Sequence, residues 1–111
     1  MDSTRQQKIA KLIQKELADI FRQDGLNIYH CMITVTKTTV TKDLSIARSY
    51  LSLFKTENTE NTIKAIRSNT KDIRFRLGQQ VKNQLRIIPQ LEFFVDDSLD
   101  YIENIEQLLK K

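Results

Sequence analysis

Residues 61–96 read NTIKAIRSNTKDIRFRLGQQVKNQLRIIPQLEFFVD, and they predict two basic helices, a kink between them and a short apolar strand. Apolar residues recur at helical spacing on both sides of Ser68, Asn69 and Thr70. These three side chains compete with helical backbone hydrogen bonds and favour helix ends. We therefore place the kink at these residues and the end of the second helix before Pro89.

Asn69 is the predicted N-cap of the second helix, because its short polar side chain can accept a hydrogen bond from a first-turn N–H. A kink here would also leave N–H groups and the positive end of the helix dipole available to an anion such as phosphate. Asp72 in the first turn opposes that use, so a purely structural cap is the alternative interpretation. The predicted inward-facing residues are Ile63, Ile66, Ile73, Leu77, Val81 and Leu85.

Positive charge is concentrated in the same part of the chain. Residues 62–90 hold seven Lys and Arg against one acid, a local net charge of +6, whereas the whole chain carries only +4. Residues 91–111 are acidic, with a net charge of −4. Clustered cations release counterions when they meet a nucleic-acid backbone, so the basic segment predicts a phosphate-bearing ligand.

Phe75 lies among these basic residues, where an aromatic ring could stack on an unpaired base. Packing of Phe75 against a neighbouring element is the alternative, since aromatic side chains are usually largely buried. Gly78, inside the second helix, is interpreted as permitting close approach of the helix to the sheet. The residues predicted to bind nucleic acid are Lys64, Arg67, Asn69, Thr70, Lys71, Arg74, Phe75, Lys82 and Arg86.

Upstream of the basic segment, the sequence predicts an amphipathic helix over residues 3–24. Ser3 and Gln6 have capping-box spacing at its start, and Gly25 stands where a left-handed C-cap is expected. The far side of this helix carries a second basic stripe, which could extend a nucleic-acid surface or simply be solvated. That stripe consists of Lys8, Lys11, Lys15 and Arg22.

A β-hairpin is predicted next, because the apolar pattern changes to a period of two. Its strands span 29–40 and 46–54, and the turn between them lies at 41–43. Cys31, Ile33 and Val35 are expected on the buried side of the first strand, and Thr34, Thr36 and Thr38 on the other side.

Downstream, a third strand is predicted over 91–95 and a last amphipathic helix over 98–109. The length of 111 residues fits one domain, 1–111. The order helix, strand, strand, helix, kink, helix, strand is that of a type II KH-like domain with an additional C-terminal helix. This is an α+β fold whose helices pack on one face of a three-stranded sheet.

Several short motifs carry a resemblance to a known family. Residues 43–50 read DLSIARSY, and residues 85–94 read LRIIPQLEFF. The second stretch contains an Arg-x-x-Pro-x-Leu-x-Phe element made of Arg86, Pro89, Leu91 and Phe93. With Ile73-Arg74, Leu77-Gly78 and Asp96-Asp97-Ser98-Leu99, these motifs make the chain resemble the ribosome-binding factor A family over nearly its whole length.

The resemblance implies a KH-like fold and binding to the small ribosomal subunit and its ribosomal RNA. It also implies a non-enzymatic role in late maturation of small-subunit ribosomal RNA. At the kink, the sequence differs both from ordinary KH domains and from the family. Ordinary KH domains clamp RNA with a Gly-x-x-Gly loop, and the glycines here are only Gly25 and Gly78. The family has an Ala-x-Gly kink, whereas the aligned positions here are Asn69-Thr70-Lys71.

Composition argues against several other classes of protein. His30 is the one histidine and Cys31 the one cysteine, so a single chain cannot assemble a zinc site or a Cys/His nucleophile pair. One cysteine suits a reducing cytoplasm, and neither a signal peptide nor a membrane span is recognised. We expect no cofactor, no metal and no membrane partner, and a monomer when free.

Three alternatives remain open on the sequence alone. One is a different KH-like RNA-binding protein acting in translation or RNA turnover. Another is a protein-interaction module that uses the acidic C-terminal helix. The third is a nuclease that holds magnesium with Glu92, Asp96 and Asp97, although adjacent carboxylates before a helix are more often turn and cap residues.

Overall fold

The structure is a computed structural model, and it describes residues 3–54, 56 and 58–96. Three helices and three strands form in the predicted order. They are α1 (Thr4–Asp24), β1 (Met32–Val40), β2 (Ile46–Phe54), α2 (Thr59–Ser68), α3 (Thr70–Val81) and β3 (Gln90–Val95), with a π-helical turn over Gly25–Tyr29 after α1. The helix predicted over 98–109 lies outside the described residues.

The three strands form one sheet in the order β1-β2-β3. β1 and β2 are antiparallel neighbours in a hairpin, and β3 pairs parallel to β2. A parallel pair needs a long crossover, which α2, the kink and α3 supply. The predicted α+β, type II KH-like arrangement is confirmed for the part of the chain that the structure describes.

The core lies between the helices and one face of the sheet. Phe21 of α1 meets Phe93 of β3 edge to face, with ring centroids 5.6 Å apart. The predicted inward residues of α2 and α3 are buried as far as Val81. The largest side chains that are almost fully buried include Ile13, Leu17, Ile20, Leu51, Ile66, Ile73 and Leu77. Packing of the amphipathic helices on the sheet therefore positions the kink.

Helix α1 begins as predicted and ends differently. The Gln6 N–H donates to Ser3 Oγ at 3.1 Å, and the Ser3 N–H donates to Gln6 Oε1 at 2.9 Å, so the capping box is confirmed. The prediction of Gly25 as a left-handed C-cap is wrong, since its φ is −52°. The helix continues into the π-helical turn, and the left-handed residue is His30, with a φ of 56°.

Gly25 is required there for close approach and not for its backbone angle. A Cβ atom at this position would lie 2.8 Å from the carbonyl oxygen of Cys31, because the chain folds back tightly after the π-helical turn. The same turn explains why β1 begins at Met32 instead of the predicted residue 29.

A β-bulge in β1 shifts the predicted alternation. The pairing with β2 slips between Val35 and Lys37, so residues after the bulge change sides of the sheet. Thr38 is therefore buried, and its Oγ1 lies 3.2 Å from Ser49 Oγ. The prediction that Thr38 faces away from the core is wrong, because a strict period of two cannot anticipate an inserted residue.

The segment between α3 and β3 is irregular. The N–H groups of Gln84 and Leu85 both donate to the carbonyl of Val81, at 2.8 and 2.9 Å, and this turn ends the helix earlier than its apolar spacing predicted. Leu85 is half-buried against the core and does not extend the inward row of the helix. Residues 82–89 thus form a connecting loop that ends at the buried Pro89.

Candidate nucleic-acid interface

The kink between α2 and α3 is centred on Asn69, which has a φ of −98° and a ψ of 9°. Its side chain does not cap α3, so that prediction is wrong. Instead, the Asn69 amide donates to the hydroxyl of Tyr29 at 2.9 Å. The tertiary contact competes successfully with the local cap because Tyr29 is buried directly behind the kink.

The other two kink residues satisfy the end of α2. Ser68 Oγ donates to the carbonyl of Ala65, and Thr70 Oγ1 donates to the carbonyl of Arg67, each at 2.7 Å. The last carbonyls of a helix lack intrahelical partners, and these hydroxyls provide them. Ser68, Asn69 and Thr70 therefore end α2, while no side chain of the described residues caps the start of α3.

The first turn of α3 consequently presents uncapped N–H groups at the positive end of the helix dipole. This arrangement favours an anionic ligand. Lys71 is exposed beside the turn, and the exposed Asp72 is the opposing charge predicted there.

Arg67 holds α2 against the third strand. Its Nε and Nη2 donate to the carbonyl of Phe93 at 3.1 and 2.9 Å, and the guanidinium lies 6.0 Å from the centroid of the Phe94 ring. The edge of the guanidinium that carries Nε and Nη2 is therefore occupied by a backbone carbonyl. Arg67 was predicted from sequence as a nucleic-acid contact, and in this structure its side chain contacts β3.

Arg74 has a similar role on the next helix. Its Nε donates to the carbonyl of Pro89 at 3.0 Å, and its Nη2 donates to the carbonyl of Ile88 at 2.6 Å. These bonds hold the 82–89 loop against α3 just before β3 begins. Sequence spacing could not reveal this contact, because the partners are backbone carbonyls 14 and 15 residues away.

Arg76 also contacts another element of the protein. Its Nη1 lies 2.5 Å from Oδ2 of Asp24, a residue that is only 8% exposed at the end of α1. The hydrogen bond to that carboxylate raises the pKa of Arg76. Three arginines of the basic segment therefore hold α2, α3 and the loop in place.

The remaining predicted residues are exposed. Lys71 and Phe75 are four residues apart and lie on the solvent side of α3, opposite Ile73 and Leu77, and the exposed Lys82 follows directly after the helix. Phe75 is 66% exposed, so the alternative that it packs against a neighbouring element is wrong. Among residues 3–54, 56 and 58–96, no hydrogen bond or ion pair is made to the side chain of Lys64, Lys71, Lys82 or Arg86.

The structure adds one basic residue that the prediction did not select, Arg5, and places it beside Lys8 of the α1 stripe. Arg5 and Lys8, at the start of α1, line a cleft together with Arg86 of the 82–89 loop. These residues are about eighty positions apart in sequence, so no local spacing could have grouped them. Lys11 and Lys15 of the α1 stripe do not line this cleft, and Arg22 pairs with Asp19.

The acidic residues considered for a nuclease have other partners. Glu92 Oε1 accepts a hydrogen bond from Arg48 Nε at 3.0 Å, and Asp96 Oδ2 accepts one from Thr36 Oγ1 at 2.5 Å. Asp97 lies outside the described residues. Within those residues, His, Cys, Asp and Glu form no group of three or more that could hold a metal ion.

Cys31 is a buried strand residue, and burial raises the pKa of its thiol. A thiolate is therefore disfavoured at this position, which is the opposite of what a nucleophile requires. Of the helices in the described ranges, none has the length and apolar character needed to cross a lipid bilayer.

Two structures of one ribosome-binding factor have the same fold. The crystal structure of ribosome-binding factor A from Thermus thermophilus aligns with a TM-score of 0.69 at 20% identity, covering 81% of this chain and 94% of that one. A homology model of the Thermus factor, fitted into a cryo-EM map of a complex with the 30S particle, aligns with a TM-score of 0.60 at 20% identity, covering 78% and 93%. At this identity the likeness establishes the fold alone.

Sequence relatives establish the family. The model of the ribosome-binding factor A family matches residues 5–109. The chain is 47% identical to ribosome-binding factor A of Flavobacterium johnsoniae, over 98% of this chain and 85% of that protein. It is 39% identical to the Cytophaga hutchinsonii protein of the same name, over 100% and 84%. The chain therefore belongs to the ribosome-binding factor A family.

Proposed function

We propose that this protein binds the small ribosomal subunit through its ribosomal RNA and assists late maturation of that RNA without catalysing a reaction. Membership of the family supports a ribosomal partner. The related Thermus factor, placed in a map of a 30S complex, supports the small subunit. We further propose that the protein acts in the cytoplasm as a monomer when free, with no cofactor.

The observation that carries the RNA proposal is the exposed surface of α3. It joins an uncapped helix start to Lys71 and Phe75 on the solvent side of the helix, and to the exposed Lys82 directly after the helix. Phosphates can be held by N–H groups and ammonium groups, and an unpaired base can stack on the phenyl ring. We assign RNA contacts to these residues together with Lys64 and Arg86.

The remaining predicted residues are assigned a positioning role. Asn69 and Thr70 set the kink that opens the start of α3, and Arg67 and Arg74 hold the helices on β3 and its preceding loop. These contacts keep the exposed cations in a fixed geometry. Such preorganisation lowers the entropic cost of binding.

The proposed mechanism is selection of one RNA conformation. A protein that binds an immature arrangement more tightly than the mature one shifts the folding equilibrium by that difference in affinity, and no bond needs to be made or broken. Release would follow when the RNA reaches the arrangement that the protein binds less well.

Co-sedimentation with small ribosomal subunits tests this function. Purified protein is mixed with immature or mature subunits at equal concentration, and the bound fraction is measured after centrifugation. We expect a larger bound fraction with immature subunits. Equal binding to both would replace the maturation role with general RNA affinity, and binding to neither would overturn the proposal.

A further inference from the structure

A cleft of about 940 Å³ lies at one end of the molecule, away from the kink. Its walls come from the start of α1, the turn between β1 and β2, and the 82–89 loop. Three cations line it, namely Arg5, Lys8 and Arg86. Since these come from separate elements, the fold itself gathers the positive charge.

One acid also lines the cleft. Asp43 Oδ1 accepts hydrogen bonds from the Ser45 N–H at 3.1 Å, Ser45 Oγ at 2.7 Å and Thr41 Oγ1 at 2.8 Å. These bonds, chiefly the one from the Ser45 side chain, lower the pKa of Asp43, so its charge persists at neutral pH. The charged lining residues, three basic and one acidic, still sum to +2.

The cleft also has an apolar wall. Ile87, which is 76% exposed beside Arg86, contributes to it. Ser45 and Gln84 add neutral hydrogen-bonding groups to the lining. A ligand that matches this lining carries negative charge, polar edges and a flat apolar surface together. Phosphate, base edge and base face provide these three features in a nucleotide.

We infer that this cleft binds single-stranded RNA, as an extension of the α3 surface; the inference rests on the proposed function. Its volume lies within the usual range of ligand sites, which is large enough for a nucleotide unit of one strand. Arg86 belongs both to the cleft and to the basic segment that contains α3. The RNA therefore runs from α3 across the 82–89 loop to the start of α1.

The rigidity of the loop supports a formed binding site. Arg74 holds the carbonyls of Ile88 and Pro89, and Pro89 is buried. On the helix side, Ile88 packs over Gly78, where a Cβ would lie 3.4 Å from its Cγ1. The loop is thus anchored directly after Arg86 and Ile87, which project from a fixed base.

Helix α1 offers a matched pair of variants for the test. Arg5→Ala/Lys8→Ala removes two charges inside the cleft, and Lys11→Ala/Lys15→Ala removes two exposed charges of the same helix outside it. The probe is a fluorescently labelled single-stranded RNA oligonucleotide, and its affinity for the full chain is followed by anisotropy over a salt series. Thermal melts check that both variants remain folded.

The cleft pair should bind the oligonucleotide on the order of tenfold more weakly at low salt, with the slope of log affinity against log salt reduced by roughly 1.4, about 0.7 for each lost phosphate contact. The outer pair should keep the wild-type slope. Asp43→Asn should increase affinity, because it removes the opposing charge while keeping the acceptor oxygen of the turn.

Equal slopes for the two α1 pairs would overturn the cleft site while leaving RNA binding by α3 intact. A loss of affinity in Asp43→Asn would also contradict the cleft site. That result would mean that Asp43 serves only to hold the turn and does not oppose a bound anion. Absence of RNA binding by the wild-type protein would overturn the proposed RNA function and the cleft site together.

Discussion

At the scale of single residues, the hydroxyl of Tyr29 fixes the conformation of the kink. It accepts the hydrogen bond from the Asn69 amide, and its ring is buried between the π-helical turn and the helices. The kink is therefore held from behind by a residue forty positions earlier in the chain. Replacing that hydroxyl tests the contact without changing the shape of the core.

Tyr29→Phe should lower the free energy of unfolding at neutral pH by about 1 kcal/mol, the usual value of one hydrogen bond. Burial raises the pKa of Tyr29, so the folded state keeps the phenolic proton at pH values where the unfolded chain loses it. The wild-type protein therefore loses stability as the pH rises above about 10, and the variant lacks that component. Urea unfolding between neutral and alkaline pH measures both effects.

Tyr50→Phe is the matched control, because the Tyr50 hydroxyl makes no hydrogen bond with the described residues. Cys31 has a raised pKa for the same reason as Tyr29, so some alkaline loss remains in every variant. Identical pH profiles for wild type and Tyr29→Phe would show that the Tyr29 hydroxyl does not couple to folding.

The two glycines should respond in opposite ways to the same substitution. Gly25→Ala places a Cβ 2.8 Å from a backbone carbonyl, and relieving that overlap should cost about 1 to 3 kcal/mol. Gly78→Ala meets only the Ile88 side chain at 3.4 Å, so the gain in helix propensity should stabilise the protein by about 0.5 to 1 kcal/mol. Paired thermal unfolding curves give the signs directly. A destabilised Gly78→Ala would mean that the loop packs more tightly than this distance implies.

At the scale of elements, the lysines and the arginines in and next to α3 make different contacts. The lysines Lys71 and Lys82 project to solvent, whereas the arginines Arg74 and Arg76 hold the loop and α1. Guanidinium groups suit the second task because their planar, multiple donors can satisfy two backbone carbonyls at once. Our sequence-based interpretation treated all four as one charged cluster. Their division became visible only with the tertiary partners in place.

Lys71→Ala/Lys82→Ala should reduce the salt dependence of RNA binding with little effect on folding. Two lost phosphate contacts predict a slope smaller by roughly 1.4 to 1.8, while exposed substitutions usually change stability by less than about 0.5 kcal/mol each. Arg74→Ala should instead cost about 1.5 to 3 kcal/mol, because it breaks hydrogen bonds from a charged group to two carbonyls.

Anisotropy over a salt series and urea unfolding on the same preparations separate the two classes. The assignment of Lys71 and Lys82 to RNA binding and of Arg74 to stability is contradicted if Lys71→Ala/Lys82→Ala unfolds much more easily than wild type. It also fails if Arg74→Ala keeps full stability while it loses RNA affinity, since Arg74 would then be a direct contact.

At the scale of the whole molecule, the sequence predicted most of the elements and few of the contacts between them. Amphipathic spacing and the capping box of Ser3 and Gln6 predicted α1. Residues 68–70 predicted the kink. Both signals are local in the sequence. The π-helical turn at Gly25, the bulge after Val35 and the early end of α3 were missed, since each depends on packing between distant segments. The cleft formed by Arg5, Lys8 and Arg86 was missed for the same reason.

The parallel pairing of β2 with β3 has a consequence for synthesis of the chain. Ile46 pairs with Gln90, 44 residues later, whereas β1 and β2 are joined by a short local turn. As residues are added in order, the hairpin can close while β3 is still unmade. Until then one edge of β2, central in the finished sheet, has unpaired N–H and C=O groups. We expect the nascent chain to be most prone to aggregation in this interval, which ends when residues 90–95 leave the translating ribosome and cover that edge.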